Sequence, residues 1–189
     1  MYELGLNPIA ALWIAWGLYW WASARGLKAV RRRESPASRA AHLLPLAVAA
    51  LLLAVPSLPG LLGVRWLPTA GWLYPLGVLL VAVGLGFSVW ARAVLGGNWS
   101  ATVTLKADHQ IVASGPYRWI RHPIYTGLLL AFLGCALARG EWRGVLALVI
   151  AFAALWRKLR LEERWLTEEF GAAYAEYRKR SWALLPFVW

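Results

Sequence analysis

The run Gly115–Gly127 reads GPYRWIRHPIYTG and sets Tyr117, Arg118, Arg121, His122 and Tyr125 directly before the apolar stretch Leu128–Leu133. Pro123 suits the first turn of a helix, where its missing N–H leaves no bond unmade. His122 is therefore expected at or next to the N-cap. A helix N-terminus presents unpaired N–H groups and a partial positive charge, and it favours anions. Arg118 and Arg121 beside it add full charges. The pattern predicts a site for a negative group at the mouth of a membrane helix. An anionic lipid headgroup would satisfy it, as would the carboxylate or phosphate of a cofactor; residue types alone name no reaction.

The elements that must position this site are apolar. Of the 189 residues, 60% are hydrophobic and the mean hydropathy is +0.53, whereas a soluble domain is about 45–50% apolar. Pro8–Ala24, Leu43–Gly63 and Trp72–Ala91 each approach the ~20 apolar residues that cross a bilayer. Ile124–Ala138 and Gly144–Trp156 are shorter and read as a hairpin turning at Arg139–Arg143. Behind three longer segments they are expected to be membrane helices too, with flanking arginines snorkelling to the interface. The expected fold is all-α and integral to the membrane, with five transmembrane helices. The chain reads as one membrane domain, with three spans in 1–91 and the chemistry-bearing part in 92–189.

A net charge of +11 invites a nucleic-acid reading, but the placement of the basic residues argues against it. Arg25, Lys28, Arg31, Arg32, Arg33 and Arg39 fall between the first two segments, and Arg92, Lys106, Arg118 and Arg121 between the third and fourth. Arg157, Lys158, Arg160, Arg164, Arg178, Lys179 and Arg180 follow the fifth, whereas the remaining loops hold only Arg65, Arg139 and Arg143. The positive-inside rule then predicts an outer N-terminus and a cytosolic C-terminus. The single cysteine, Cys135, forms no disulfide within the chain and reads as a small packing residue. Pro8–Ala24 lacks a basic leader and a clear cleavage site, so it reads as a retained helix. Trp20, Trp21, Trp66, Trp72, Trp90, Trp142 and Trp156 lie near segment ends and read as interfacial anchors.

Almost all other polar chemistry lies in Arg92–Pro123 and Arg157–Trp189. Gly96-Gly97 and Gly115-Pro116 mark turns, and RRRESPAS reads as coil around Pro36. Past Trp156, Leu159, Leu166, Phe170, Tyr174 and Tyr177 recur mostly three or four apart, which is one apolar stripe. That helix is expected to continue the fifth span into the cytosol and fold back over the inner face. His42, at the start of the second segment, reads as structural.

GPYRWIRHPIYTG, preceded by HQIV at His109–Val112, resembles the signature of the isoprenylcysteine carboxyl methyltransferase and phospholipid methyltransferase superfamily. The tail EERWLTEEFGAAYAEYRKR, with its paired glutamates, Phe-Gly and spaced tyrosines, resembles the second half of that signature, as does LLPF at Leu184–Phe187. LGGNWS at Leu95–Ser100 resembles the loop that opens the region in bacterial members. The likeness covers roughly residues 90–187, with both halves in the right order.

The resemblance implies an integral-membrane methyltransferase that uses S-adenosyl-L-methionine, held in a pocket formed by the cytosolic loop and the C-terminal helix. Carried over by position, the cofactor pocket would involve His109, Gln110, Ile111, Val112, Gly115, Pro116, Tyr117, Arg121, His122, Pro123 and Tyr125, and Glu162 matches the tail glutamate that contacts the cofactor. The methionine carboxylate can pair with Arg121 through a forked bond, and Glu162 or Glu163 can take the ammonium. Ile111, Val112 and Tyr117 can pack on adenine, and tyrosine faces can neighbour the sulfonium. Where eukaryotic members hold an arginine for the substrate carboxylate, this chain has Lys158, a point charge rather than a fork. Lys158 and Arg157, with Asn98 and Trp99 at the loop, are the expected acceptor-binding residues. His122, Arg121 and Glu163 are the expected catalytic ones, with His122 or Glu163 as base should the acceptor be an amine.

The implied partner is a lipid or lipophilic acceptor entering from the inner leaflet, and the compact Ala-, Leu- and Trp-rich composition reads as bacterial, hence an inner-membrane protein. Amines of the phosphatidylethanolamine type, isoprenoid acids and thiols all stay open as acceptors, as does the oligomeric state. Two other readings compete. Membrane sterol reductases using NADPH carry Arg-His-x-Asn-Tyr at the matching segment, whereas Pro123-Ile124-Tyr125 has the methyltransferase form. A non-catalytic scaffold would be favoured by loss of the paired glutamates or of Arg121-His122, and all of these are present.

Overall fold

The computed structural model describes residues 7–25, 30–99, 103–106 and 111–186. Helix α1 (Pro8–Ser23) begins where Asn7 accepts from Ile9 N at 3.0 Å and Pro8 stands at the first helical position. Helix α2 (Pro36–Ala54) begins in the same way, with Ser35 Oγ accepting from Ser38 N at 3.2 Å ahead of Pro36. The expected second span, Leu43–Gly63, is therefore displaced toward the N-terminus. Pro36 opens a helix rather than interrupting a coil, and Pro56, just past Ala54, stops it.

The stretch read as coil holds a further correction. Strand β1 (Val30–Arg33) pairs antiparallel with β2 (Thr104–Lys106), so the fold is helical with one small two-stranded sheet rather than all-α. No alternation of apolar and polar residues marks VRRR as a strand. Its pairing comes from tertiary contacts: Arg31 and Arg32 bridge to Glu169 and Glu168, and the Arg32 guanidinium sits 4.1 Å from the Trp165 ring centre.

Three further long helices follow: α3 (Leu73–Leu95), α4 (Pro123–Arg139) and α5 (Trp142–Phe170). Gly140, with φ 65°, ends α4 in the left-handed conformation that favours glycine and makes the sharp α4–α5 turn. At 1.5 Å per residue, the 29 residues of α5 extend about 44 Å, well beyond a ~30 Å hydrocarbon core. Its second half, from Trp156 onward, carries all its charged positions except Arg143. Gly171 (φ 50°) then breaks the helix, and α6 (Ala172–Lys179) folds back. By length and composition α2 and the stretch Leu73–Asn98 can each cross a bilayer, and α4 is apolar but shorter.

The centre of the bundle is a close antiparallel crossing of α3 and α4. A Cβ added to Gly84 would lie 2.5 Å from Gly127 O, and one added to Gly77 would lie 2.6 Å from Gly134 O. Both pairs are seven residues apart on their own helix, so the two backbones run in contact for two turns; small residues of this kind let membrane helices approach closely. Helix α1 docks on this core through its indoles, with Trp16 Nε1 donating to Ser88 Oγ at 2.8 Å and Trp13 Nε1 to Cys135 Sγ at 3.3 Å. Cys135 is thus the buried packing residue expected. Helix α2 packs on α5 and is held at its C-terminal end by two arginines. Arg139 Nε and Nη2 donate to Leu53 O and Val55 O at 2.8 and 2.9 Å, and Arg143 Nη1 to Val55 O at 2.6 Å. These are the carbonyls a helix end leaves unpaired.

Replacing Gly84 by Val should therefore cost about 3 kcal/mol or more, because the added carbons meet backbone that cannot give way. Gly86→Ala, two positions along on the exposed face with nothing within 4 Å, should keep the wild-type melting temperature. Thermal unfolding in detergent checks both; a Gly84→Val variant as stable as Gly86→Ala would contradict the crossing.

Candidate active site

A cavity of about 340 Å³ lies where α1 to α5 converge with the two loops, within the ~300–1,000 Å³ common for small-molecule sites. Part of its lining is apolar, from Trp16 and Trp20 of α1, Leu43 and Leu46 of α2, Leu95, Leu128 and Leu155. The polar part is Tyr117, Arg121, His122, Tyr125, Lys158 and Glu162.

Two adjacent carboxylates organise the polar part in different ways. Glu163 is buried, with a side chain 7% exposed, and is surrounded by donors. Arg121 Nε donates to its Oε1 at 2.6 Å, Tyr174 OH at 3.3 Å, His122 Nε2 lies 3.3 Å away, and Arg178 Nε is 3.5 Å from Oε2. Glu162, 23% exposed, faces the cavity, where its Oε1 accepts from Tyr125 OH at 2.6 Å and lies 3.8 Å from Lys158 Nζ. His122 bridges the two carboxylates, because its Nδ1 is 3.5 Å from Glu162 Oε2. A ring that faces a carboxylate from each nitrogen is best matched as the imidazolium, with both nitrogens protonated. Its ring also stacks on Tyr125, with centres 5.4 Å apart.

The charges settle accordingly. Burial works to lower the His122 pKa, but hydrogen bonds to Glu162 and Glu163 and their charges outweigh it, so the net shift is upward. Burial works to raise Glu163, but His122 and Arg121 outweigh it and hold the carboxyl down at about 2. Glu162 is lowered in the same sense, with His122 and Lys158 overcoming burial. Burial, and then the Glu163 charge, push the Tyr174 phenol up, so it stays a donor.

The segment carrying Arg121 and His122 is stitched to the C-terminal stretch. Trp182 N donates to Trp119 O at 2.8 Å, Arg121 N to Trp182 O at 2.7 Å, His122 N to Ala183 O at 3.1 Å, and Thr126 Oγ1 to Leu184 O at 2.6 Å. The stretch Trp182–Leu184, ending where the LLPF run begins, thus acts as a splint for the Arg-His pair.

Of the expected cofactor residues, Ile111, Val112, Tyr117, Arg121, His122, Tyr125 and Glu162 line the cavity. Gly115, Pro116 and Pro123 stand behind the wall, Gly115 with φ 55° against Val94. His109 and Gln110 lie outside the described residues. Asn98, Trp99 and Lys158 line the cavity, but Arg157 does not: its guanidinium bonds Ser38 O and Oγ at 3.1 and 3.4 Å.

The anion cradle expected at the α4 N-terminus is not assembled as the sequence implied. His122 does occupy the N-cap. Arg118, however, is exposed beside Trp119, and the Tyr125 and Thr126 N–H groups turn back to His122 O. Arg121 directs Nε to Glu163 and Nη1 to the carbonyls of Ser181 and Arg178. Glu163, expected as a base, does not line the cavity and is held as a carboxylate by its donors.

Sequence reasoning missed Trp16, Trp20, Val103, Thr104 and Trp165 as cavity residues. Trp20 was expected at the interface, yet it stacks on Trp16 at 4.3 Å and meets Trp99 edge-on at 5.8 Å. The four-residue spacing of Trp16 and Trp20, which puts both indoles on one helical face, was the available signal.

Because the Glu163 pKa is depressed, its contribution to stability is full above the ordinary carboxyl value of 4.5 and is lost as pH falls toward about 2. Wild-type protein should lose stability across that window, and Glu163→Gln should be destabilised by about 3 kcal/mol at pH 7 with a flatter acid limb. Denaturation at stepped pH checks this; equal acid limbs would remove Glu163 from the centre of the site.

Comparison with known proteins identifies the family. The chain matches the family model for phospholipid methyltransferase over residues 72–173, more than half its length. It is 35% identical over 119 residues to protein-S-isoprenylcysteine O-methyltransferase of Saccharomyces cerevisiae, covering 60% of this chain and 48% of that protein. It is 35% identical over 124 residues to the cobalt-zinc-cadmium resistance protein CzcN of Cupriavidus metallidurans, covering 65% and 54% respectively. The chain thus spans about half the length of these curated relatives. Among solved structures, a eukaryotic intramembrane Ras methyltransferase, isoprenylcysteine carboxyl methyltransferase, superposes with a TM-score of 0.57 at 19% identity, covering 98% of this chain and 70% of that one, and so shares the fold. With the matched segment enclosing the paired glutamates, the Arg-His pair and most of the cavity wall, the chain belongs to the phospholipid methyltransferase family.

Proposed function

We propose that this chain is an integral-membrane methyltransferase that moves a methyl group from S-adenosyl-L-methionine to a lipid or lipophilic acceptor. The observation that carries the reading is the mixed lining of one cavity. Glu162, Tyr117, Tyr125, His122 and Lys158 share its wall with Trp16, Trp20, Leu43 and Leu46. A charged donor and a greasy acceptor need both kinds of surface in one site.

The residues present suit the cofactor. Glu162 offers a partly exposed carboxylate on the cavity wall for an ammonium group. Lys158, 3.8 Å from Glu162 and also on the wall, supplies positive charge for the methionine carboxylate. Ile111, Val112 and Tyr117 offer apolar surface for adenine, and the tyrosine faces favour a neighbouring sulfonium. His109 and Gln110 join this set by position in the signature alone.

The bound cofactor supplies a methyl group already activated on a positively charged sulfur. The protein's part is then to orient the two partners and keep water out. Glu163 works as a positioning residue by holding Arg121, His122 and Tyr174 in place. His122, with its raised pKa between two carboxylates, is disposed to hold a proton rather than remove one. With both His122 nitrogens facing carboxylates and Glu163 enclosed by its donors, neither side chain is placed to take a proton from an acceptor, which favours an acceptor whose nucleophile is already deprotonated, such as a carboxylate, over a protonated amine.

The acceptor's apolar part is assigned to the space between α1 and α2. Helix α1 packs on α3 and α2 on α5, and both helices line the cavity, through Trp16 and Trp20 and through Leu43 and Leu46. We place the site at the cytosolic face of a bacterial inner membrane with five crossings, an outer N-terminus and entry from the inner leaflet, because the basic loops carry the site.

Glu162→Gln should weaken S-adenosylhomocysteine binding about 10- to 100-fold, the value of a charge-assisted bond of roughly 1.5–3 kcal/mol. The variant should keep the helical content of the wild type. Calorimetric titration of the variant checks this; wild-type affinity would remove Glu162 from the cofactor site.

A further inference from the structure

A buried carboxylate outside the family-matched segment holds part of the cavity wall. Glu34 follows β1, and its side chain is only 1% exposed. It grips Val103 at two points. Val103 N donates to Glu34 Oε1 at 3.0 Å, and Glu34 N donates to Val103 O at 3.1 Å. Ser38 Oγ donates to Glu34 Oε2 at 2.8 Å, and His42 Nε2, fully buried, lies 3.4 Å from Oε1. The carboxylate is therefore fixed to the first turns of α2 on one side and to the loop after α3 on the other.

Val103 and Thr104 both line the cavity. Val103 packs on Trp165, another wall residue, on whose ring Arg32 of β1 rests. The Thr104 hydroxyl oxygen is buried and has no hydrogen-bond partner among the described residues. The wall at this point is thus formed by the start of a short strand that also pairs with β1.

We propose that Glu34 is a positioning residue for ligand retention: it pins Val103, at the entry to β2, so that Val103 and Thr104 close the cavity wall against the bound ligand. Glu34 touches no ligand itself and acts through the Val103 backbone. The segment 30–42, which precedes the residues matched by the family, thereby becomes part of the binding apparatus. The inference rests on the proposed function only through the use of S-adenosylhomocysteine as probe.

The test uses the full chain in detergent with Glu34→Ala, Glu34→Gln and Ser38→Ala. Glu34→Gln keeps an oxygen where Val103 N–H points, whereas Glu34→Ala removes it. Ser38→Ala loses a bond to Glu34 but leaves the grip on Val103. Glu34→Ala should bind S-adenosylhomocysteine about tenfold more weakly through faster dissociation, while Glu34→Gln and Ser38→Ala stay within about twofold of wild type. Amide exchange of Val103 in the ligand-free protein gives a second readout, protected in wild type and Glu34→Gln and fast in Glu34→Ala. Folded Glu34→Ala with wild-type affinity, or with a protected Val103 amide, overturns the inference. Wild-type protein that binds no S-adenosylhomocysteine overturns the cofactor reading instead, and the amide measurement still decides the role of Glu34.

Discussion

The site depends on a carboxylate that the solvent scarcely reaches. A buried charge is stable only when opposite charge and hydrogen bonds surround it. Glu163 obtains these from Arg121 and His122 ahead of α4, from Tyr174 in α6 and from Arg178 near the end of α6. One side chain on α5 therefore holds together the start of α4 and the return helix. Removing it would take from Arg121 and His122 the carboxylate they share and from α6 its Tyr174 and Arg178 contacts with α5. Its neighbour Glu162, one residue earlier and so turned about 100° around the helix, reaches the cavity instead. Adjacent glutamates thereby divide the work, one joining the elements and the other facing the ligand.

The second constraint is the α3–α4 crossing. Backbone contact at Gly77, Gly84, Gly127 and Gly134 brings the loop after α3 close to the start of α4. Asn98 and Trp99 thus share a cavity with His122 and Tyr125. The α4–α5 hairpin then carries Leu155, Lys158 and Glu162 to the same place. Arg92 supports the loop from behind: buried, it bonds Gly96 O at 3.0 Å and Ser23 O, and its guanidinium lies 4.4 Å from the centre of the Trp99 ring. The apolar part of the lining is completed by α1 and α2, which gives the first two helices a place in the site.

Much of this was legible in the residues. Apolar runs located α1, α3, α4 and the first half of α5, and the stripe through Leu159, Leu166, Tyr174 and Tyr177 marked the extension of α5 and its return. Pro123 fixed the start of α4 and His122 at its cap. What local pattern could not show was tertiary pairing. The strand Val30–Arg33 exists because Glu168, Glu169, Trp165 and β2 receive it, not because of its own periodicity. Helix α2 was misplaced because hydropathy outweighed the cap at Ser35-Pro36, whose first turns are polar. The glycine seam hid in two segments that each read simply as apolar. Trp20 was read as an interfacial anchor because composition cannot tell a lipid-facing indole from one facing a cavity. Arg121 and Glu163 were each expected to meet a ligand, and their meeting one another could be known only from how α4 and α5 lie together.

The central claim is that the polar part of the cavity binds an adenosyl sulfur ligand. The most direct measurement is calorimetric titration of S-adenosylmethionine and S-adenosylhomocysteine into the detergent-purified wild-type chain, with NADPH titrated in parallel. The account predicts saturable binding of both sulfur ligands at micromolar concentration and none of NADPH. Folded protein that binds neither sulfur ligand, or binds NADPH alone, would contradict it.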